Sequence, residues 1–138
     1  MAAGKSFSLA VAAFCKKANL APSLVARKVC LDLLVSIVMG TPVDTGRARG
    51  SWTAGIYTMP EGAGYDLDKQ GTATIARNQG ILAGFELSRG SAFVLSNLVY
   101  MPPLEYGHSQ QAPNGMVRVS ISRYQEFVRR AVLEVNPA

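Results

Sequence analysis

The sequence predicts an α+β domain. Apolar residues recur at intervals of three and four along much of the chain, the signature of helices with one buried face. Alternation appears only in a short run after Ser51, joined by a brief apolar run at Ala92 to Leu95, the signature of a few short strands. At 138 residues the chain suffices for one hydrophobic core, so a single domain is expected over residues 1–138.

Ser6 is placed to cap a first helix with Phe7, Val11, Phe14 and Ala18 on one stripe, Lys16 and Lys17 off it, and an end near Asn19. Ala21-Pro22-Ser23 restarts a helix with Ser23 as N-cap; Leu24, Leu31, Leu34, Val35 and Val38 form a broad apolar face as far as Gly40. Only Arg27, Lys28, Asp32 and Ser36 interrupt it, so this is expected to be the most buried element. Gly40-Thr41-Pro42 stops the helix, and Asp44 to Gly50 follows as a polar loop. From Ser51, Trp52, Ala54 and Ile56 alternate with Thr53, Gly55 and Tyr57 as in a half-buried strand, ended by Pro60-Glu61-Gly62.

Thr72 is expected to cap a further helix with Ile75, Gln79, Leu82 and Phe85 at helical spacing, weakened by Gly80 and Gly84. Ala92 to Leu95 reads as a strand, and Pro102-Pro103 is expected to exclude regular structure. Leu104 to Asn114 reads as irregular. The last element, Met116 to Val135, carries Val117, Ile121, Tyr124, Val128, Ala131 and Val135 at helical intervals, with a Glu126–Arg130 ion pair one turn apart.

Hydrophobic residues make up 49% of the chain and charged ones 17%, a lean surface that suggests part of it is covered by a neighbouring subunit. Fourteen basic against nine acidic residues give +5, with nine of the fourteen being Arg. These are scattered, with small clusters at Lys16-Lys17, Arg47/Arg49 and Arg129-Arg130, a distribution that suits a surface facing DNA better than sequence-specific recognition. The apolar run Leu33 to Met39 is too short to span a bilayer, and no secretory signal is seen, so a soluble chain made in the cytoplasm is expected.

Chemistry finds little purchase. His108 is the only histidine, and its neighbour Ser109 cannot serve as its nucleophile because adjacent side chains diverge; no Gly-x-Ser-x-Gly turn is present. Cys15 and Cys30 lack metal-ligand spacing and read as buried thiols, and no glycine loop is followed by Lys-Ser or Lys-Thr. No enzyme activity, cofactor or metal is expected. Two segments exceed an ordinary connection, Asp44 to Gly50 and Leu104 to Gly115, and loops of this kind commonly contact partners.

Those segments carry a resemblance. Thr41-Pro42-Val43-Asp44-Thr45-Gly46-Arg47 with the later Ser51-Trp52, and Asn97, Tyr100 and Leu104 to Val117 ahead of a C-terminal helix, resemble in order and spacing the tail-completion and neck proteins of long-tailed bacteriophages, the minor tail protein Z-like group. Met101 departs from that pattern, standing where a small residue would precede the proline. The resemblance implies helices packed on one face of a small antiparallel β-sheet. It further implies a homo-oligomeric, hexameric ring at the head–tail junction of the virion, touching adjacent neck and tail-tube proteins. On that view Asp44, Arg47, Arg49, Trp52, Glu105, Tyr106, His108, Gln110 and Gln111 are interface candidates, and Arg118, Arg123, Arg129 and Arg130 could face DNA in the lumen. Arg47 is expected to pair with a carboxylate, either Asp44 or one on the adjacent subunit. Tail termination and head closure are neighbouring roles. A small basic nucleic-acid-binding module is the competing reading, and a hydrolase centred on His108 a distant third.

Overall fold

The computed structural model describes residues 22–61, 67–98, 100–107 and 109–135. The helix expected over residues 6–19, Cys15 and His108 lie outside them. The order is helix α1 (Pro22–Gly40), a helical turn α2 (Arg47–Gly50), strand β1 (Thr53–Ile56), helix α3 (Thr72–Leu82), a 3₁₀ turn (Leu87–Arg89), strand β2 (Ala92–Leu95), and three helices: α4 (Met101–Glu105), α5 (Val117–Ser122) and α6 (Tyr124–Val135). Helices pack with a two-stranded antiparallel sheet in which Ala54 faces Val94 and Gly55 faces Phe93, so the fold class is α+β.

Helix α1 is the axle. Its first half puts Val25, Ala26 and Val29 into a cluster with Phe85, Phe127, Val128 and Ala131; its second half puts Leu34, Ile37 and Val38 among Trp52, Ala54, Leu82, Met101, Ala112 and Met116. Full burial of each Val, Leu, Ile, Phe or Met side chain among them contributes about 1.5–3 kcal/mol. Leu24, expected on the buried face, is 47% exposed. Ser23 is not spent on α1 itself: its Oγ accepts the Leu87 N–H at 3.0 Å.

Strand β1 is buried on both faces rather than one, with Thr53 and Ala54 both under 10% exposed, because α3 lies against it. The edge of β1 not paired with β2 is closed by Asn78, fully buried in α3: its Oδ1 accepts the Ala54 N–H at 3.0 Å and its Nδ2 donates to the Trp52 carbonyl at 2.8 Å. A side-chain amide thus stands in for a third strand at these two groups.

The cap of α3 is Asp68, not Thr72. Its carboxylate accepts the Gly71 N–H, the Thr74 N–H and the Thr74 hydroxyl at 2.6–2.9 Å, satisfying orphan donors of the first turn. The helix stops at Leu82, so Phe85 is buried from the following loop.

The prolines of Met101-Pro102-Pro103 do not exclude helix; they occupy the first turn of α4, where their missing N–H groups would have had no intrahelical partner. The single terminal helix expected from Met116 breaks at Arg123 into α5 and α6. Two serine hydroxyls explain the break. Ser120 Oγ adds to the Ser120 N–H on the Met116 carbonyl at 2.7 Å, and Ser122 Oγ donates to the Val119 carbonyl at 2.6 Å while the Arg123 N–H turns to the Ser120 carbonyl at 3.1 Å, side-chain bonding of the kind that bends helices. As a result Ile121, expected to face inward, is 55% exposed, while Phe127 is buried. Glu126 pairs with Arg123 at 3.2 Å rather than with Arg130, whose guanidinium lies over the Phe127 ring.

Candidate functional site

The first motif segment is anchored before it is displayed. Thr41 Oγ1 donates to the Ile37 carbonyl at 2.6 Å and accepts Trp52 Nε1–H at 2.8 Å, closing the end of α1 onto β1. Trp52, expected at an interface, is a core residue at 4% exposure; its large apolar ring is needed in the second cluster, and its one donor is satisfied there. Arg49 is likewise a staple. Its guanidinium donates to the carbonyls of Lys69, Met39 and Thr41 at 2.8–3.1 Å, satisfying acceptors at the C-terminal end of α1 where a cation is favoured.

Gly46 turns the segment with φ +90°, and a Cβ there would lie 2.6 Å from the Lys69 nitrogen. The Asp68 N–H donates to the Gly46 carbonyl at 3.1 Å, so the turn is braced by the connection leading into α3. Beyond these anchors, Asp44, Thr45 and Arg47 are exposed. Among the described residues no ion pair joins Asp44 to Arg47, so the expected in-loop pairing is not made; the loop reverses on Gly46, and the Arg47 backbone N–H donates to Thr45 Oγ1 at 3.3 Å.

The second segment is closed rather than irregular. Glu105, at the end of α4, accepts the N–H groups of Met116, Val117 and Arg118 at 2.8–3.1 Å and Arg118 Nε–H at 2.9 Å. It caps α5 from eleven residues upstream, with its side chain only 15% exposed. Burial opposes its ionisation, but the N–H groups of Val117, Arg118 and Met116 and the Arg118 guanidinium outweigh burial and hold its carboxyl below the ordinary range. Gly107 (φ +86°) and Gly115 (φ +84°) let the two ends close, since a Cβ at Gly107 would meet the Pro113 carbonyl oxygen at 2.5 Å. Ala112 is buried in the core cluster, so this stretch contributes to packing as well as to the surface.

What the second segment leaves outward is Tyr106, 69% exposed with the Arg118 guanidinium 4.9 Å from its ring centroid, and Gln110. Gln111 joins the two segments: its Oε1 accepts the Val43 N–H at 2.8 Å and its Nε2 donates to the Val43 carbonyl at 3.1 Å. The result is a cleft of about 240 Å³ walled by Pro42 to Ala48 on one side and Tyr100, Leu104, Ser109 and Gln111 on the other.

The four arginines proposed for a lumen divide. Arg118 is held by Glu105 and Tyr106, and Arg123 by Glu126 with its guanidinium 5.1 Å from the Phe127 centroid. Arg130 also covers Phe127, while Arg129 is exposed. Elsewhere, burial pushes the Cys30 thiol up to about 11, which leaves it protonated and inert at neutral pH. Among the described residues no group of His, Cys, Asp and Glu is arranged to hold a metal ion, and no helix is long and apolar enough to cross a membrane.

Sequence reasoning gave Asp68 no role, and it placed Tyr100, Leu104 and Ser109 in the resembling segment without naming them as site residues. Asp68 had a readable signal, an Asp a few residues ahead of a Gly-Thr helix start; the shared cleft of the other three arises only when the two segments meet. Comparisons with protein-family models, curated proteins and solved structures return no match.

Proposed function

We propose that the chain is a structural subunit of a bacteriophage head–tail junction. In this reading it is a tail-completion or neck protein, made in the host cytoplasm and built into the virion as a hexameric ring around the DNA passage. The observation that carries the reading is the reciprocal Val43–Gln111 pairing, which makes one surface of the two segments that resemble the phage family. On that surface the braced backbone supplies rigidity, and Asp44, Arg47, Tyr106 and Gln110 supply exposed charge, an aromatic anchor and an adaptable amide, the mixture suited to a protein interface. Its partners are further copies of itself and the neck and tail-tube proteins above and below; Arg129, with Arg130 beside it, would touch DNA only through phosphates. The chain acts by assembly and not by turnover. Tail termination and head closure use the same kind of ring and are variants of the same proposal.

Electron microscopy of the purified chain, with antibody labelling of virions in lysates of producing cells, tests it. Closed rings and label at the head–tail junction are expected. A protein that remains a monomer and binds DNA would instead favour the nucleic-acid-binding module, and label confined to the cytoplasm would overturn the virion assignment.

A further inference from the structure

We infer that the free edge of strand β2 pairs with the same edge of a second copy, joining two chains through one continuous antiparallel sheet. The phase of the ladder shows which groups are free. Ala54 stands opposite Val94, yet its N–H turns away to Asn78, so this pair exchanges no backbone bonds and Val94 directs its own N–H and carbonyl to the far side. One step beyond the last strand pair, Tyr57 donates its N–H to the Ser91 carbonyl at 2.8 Å, which fixes the same phase and turns Ala92 outward as well. Among the described residues nothing bonds to these outward groups, and no third strand lies along that edge. Edges of this kind are ordinarily blunted by a Lys, a Pro or a bulge. Strand β2 has none of these, and from Gly90 to Leu104 the sequence carries no charged residue.

Charge, register and closure make the occupant a second copy. In a chain of net charge +5, like-charged copies meet least repulsion across such a neutral stretch. An antiparallel pairing centred on Val94 is self-complementary: Val94 bonds its counterpart, Ala92 meets Ser96, and Phe93 lies beside Leu95. Phe93 and Leu95 are half-buried and belong to neither core cluster, so they are available to form these apolar cross-strand pairs. Growth then stops at two. The outer edge of β1 gives its Ala54 N–H to Asn78 and its Trp52 carbonyl to Asn78 and Arg77, so the four-stranded sheet is blunted at both ends. The contact is isologous, each copy offering the same surface, and it does not rest on the ring reading.

Light scattering coupled to size exclusion on the full chain, at rising concentration, tests the pairing beside Phe93→Lys, which places a charge at the edge without touching either core cluster. The native chain should associate, and the substitution should weaken that association by at least about tenfold. An assembled native chain that Phe93→Lys leaves unchanged overturns the edge contact while sparing the ring; a chain that stays monomeric at every concentration overturns both. Should Phe93→Lys prevent folding, an equimolar mixture of Phe93→Cys and Leu95→Cys proteins, mildly oxidised, gives a second reading, because cross-strand positions that exchange no backbone bonds lie within disulfide reach. Disulfide-linked peptides joining positions 93 and 95 are expected, and links only between like positions, or none, overturn the pairing.

Discussion

Gln111 pairs with Val43 as a neighbouring strand would, giving and receiving one backbone hydrogen bond, although 68 residues separate them. Replacing Gln111 by Ala should therefore loosen residues 42–46 while the core stays intact. The stability cost should be modest, about 0.5–1.5 kcal/mol for each exposed bond at most. Hydrogen exchange at Val43 should accelerate in the variant, and unchanged protection there would mean that Gly46 and Asp68 alone fix the segment.

Asn78→Ala should be far more damaging than its polar surface analogues. It strips the Ala54 N–H of its partner in a buried site, at about 1–3 kcal/mol for a group left unsatisfied, while the Trp52 carbonyl keeps the Arg77 guanidinium at 2.9 Å. Urea denaturation would register this, and a loss under about 1 kcal/mol would show that water or a neighbour replaces the amide.

Glu105 should make stability depend on acid. Its carboxyl titrates below its ordinary value of 4.5 in the folded chain, so the unfolded state takes up the proton first. The contribution is complete above that value and disappears as pH falls through the lower folded one. Asp68, also lowered, acts in the same sense from 3.8, because the Thr74 and Gly71 donors and the Arg49 charge outweigh its burial. Denaturation from pH 7 to pH 3 should show a shallower pH slope for Glu105→Gln than for the native chain; parallel slopes would remove Glu105 from the account.

Asp44→Ala, Arg47→Ala and Tyr106→Ala should each leave folding stability within about 0.5 kcal/mol of the native value, since these side chains are exposed. Their effect should fall on assembly. By contrast, Arg49→Ala and Trp52→Ala should destabilise the subunit itself, the latter by about 3–5 kcal/mol. Thermal melts beside particle sizing separate the two groups, and a stable, fully assembling Tyr106→Ala protein would remove that ring from the interface.

These contrasts mark what could be read from the residues alone. The helical period located α1 and α3, because burial of one face imposes that period directly; the run after Ser51 located β1, although α3 buries its second face as well. The period could not show that two serines would break the last helix, since hydroxyl bonding to carbonyls leaves the apolar spacing intact. Nor could it separate Arg49 from Arg47. Both are basic residues in one polar loop, and only the turn at Gly46 decides that Arg49 reaches the carbonyls ending α1 while Arg47 meets solvent. Glu105 looked like a surface carboxylate because its partners lie beyond a closed loop.

Helix α1 belongs to both apolar clusters, and this leaves the described part of the molecule without a seam. Neither cluster can melt while the other persists, because losing Val25 and Val29 from their places frays the same rod that holds Leu34 and Val38. Heating should give one transition with coincident fluorescence and circular dichroism curves. A chain severed within α1 should yield two pieces that are each unfolded alone and recover structure only when mixed, which makes the subunit an all-or-nothing building block.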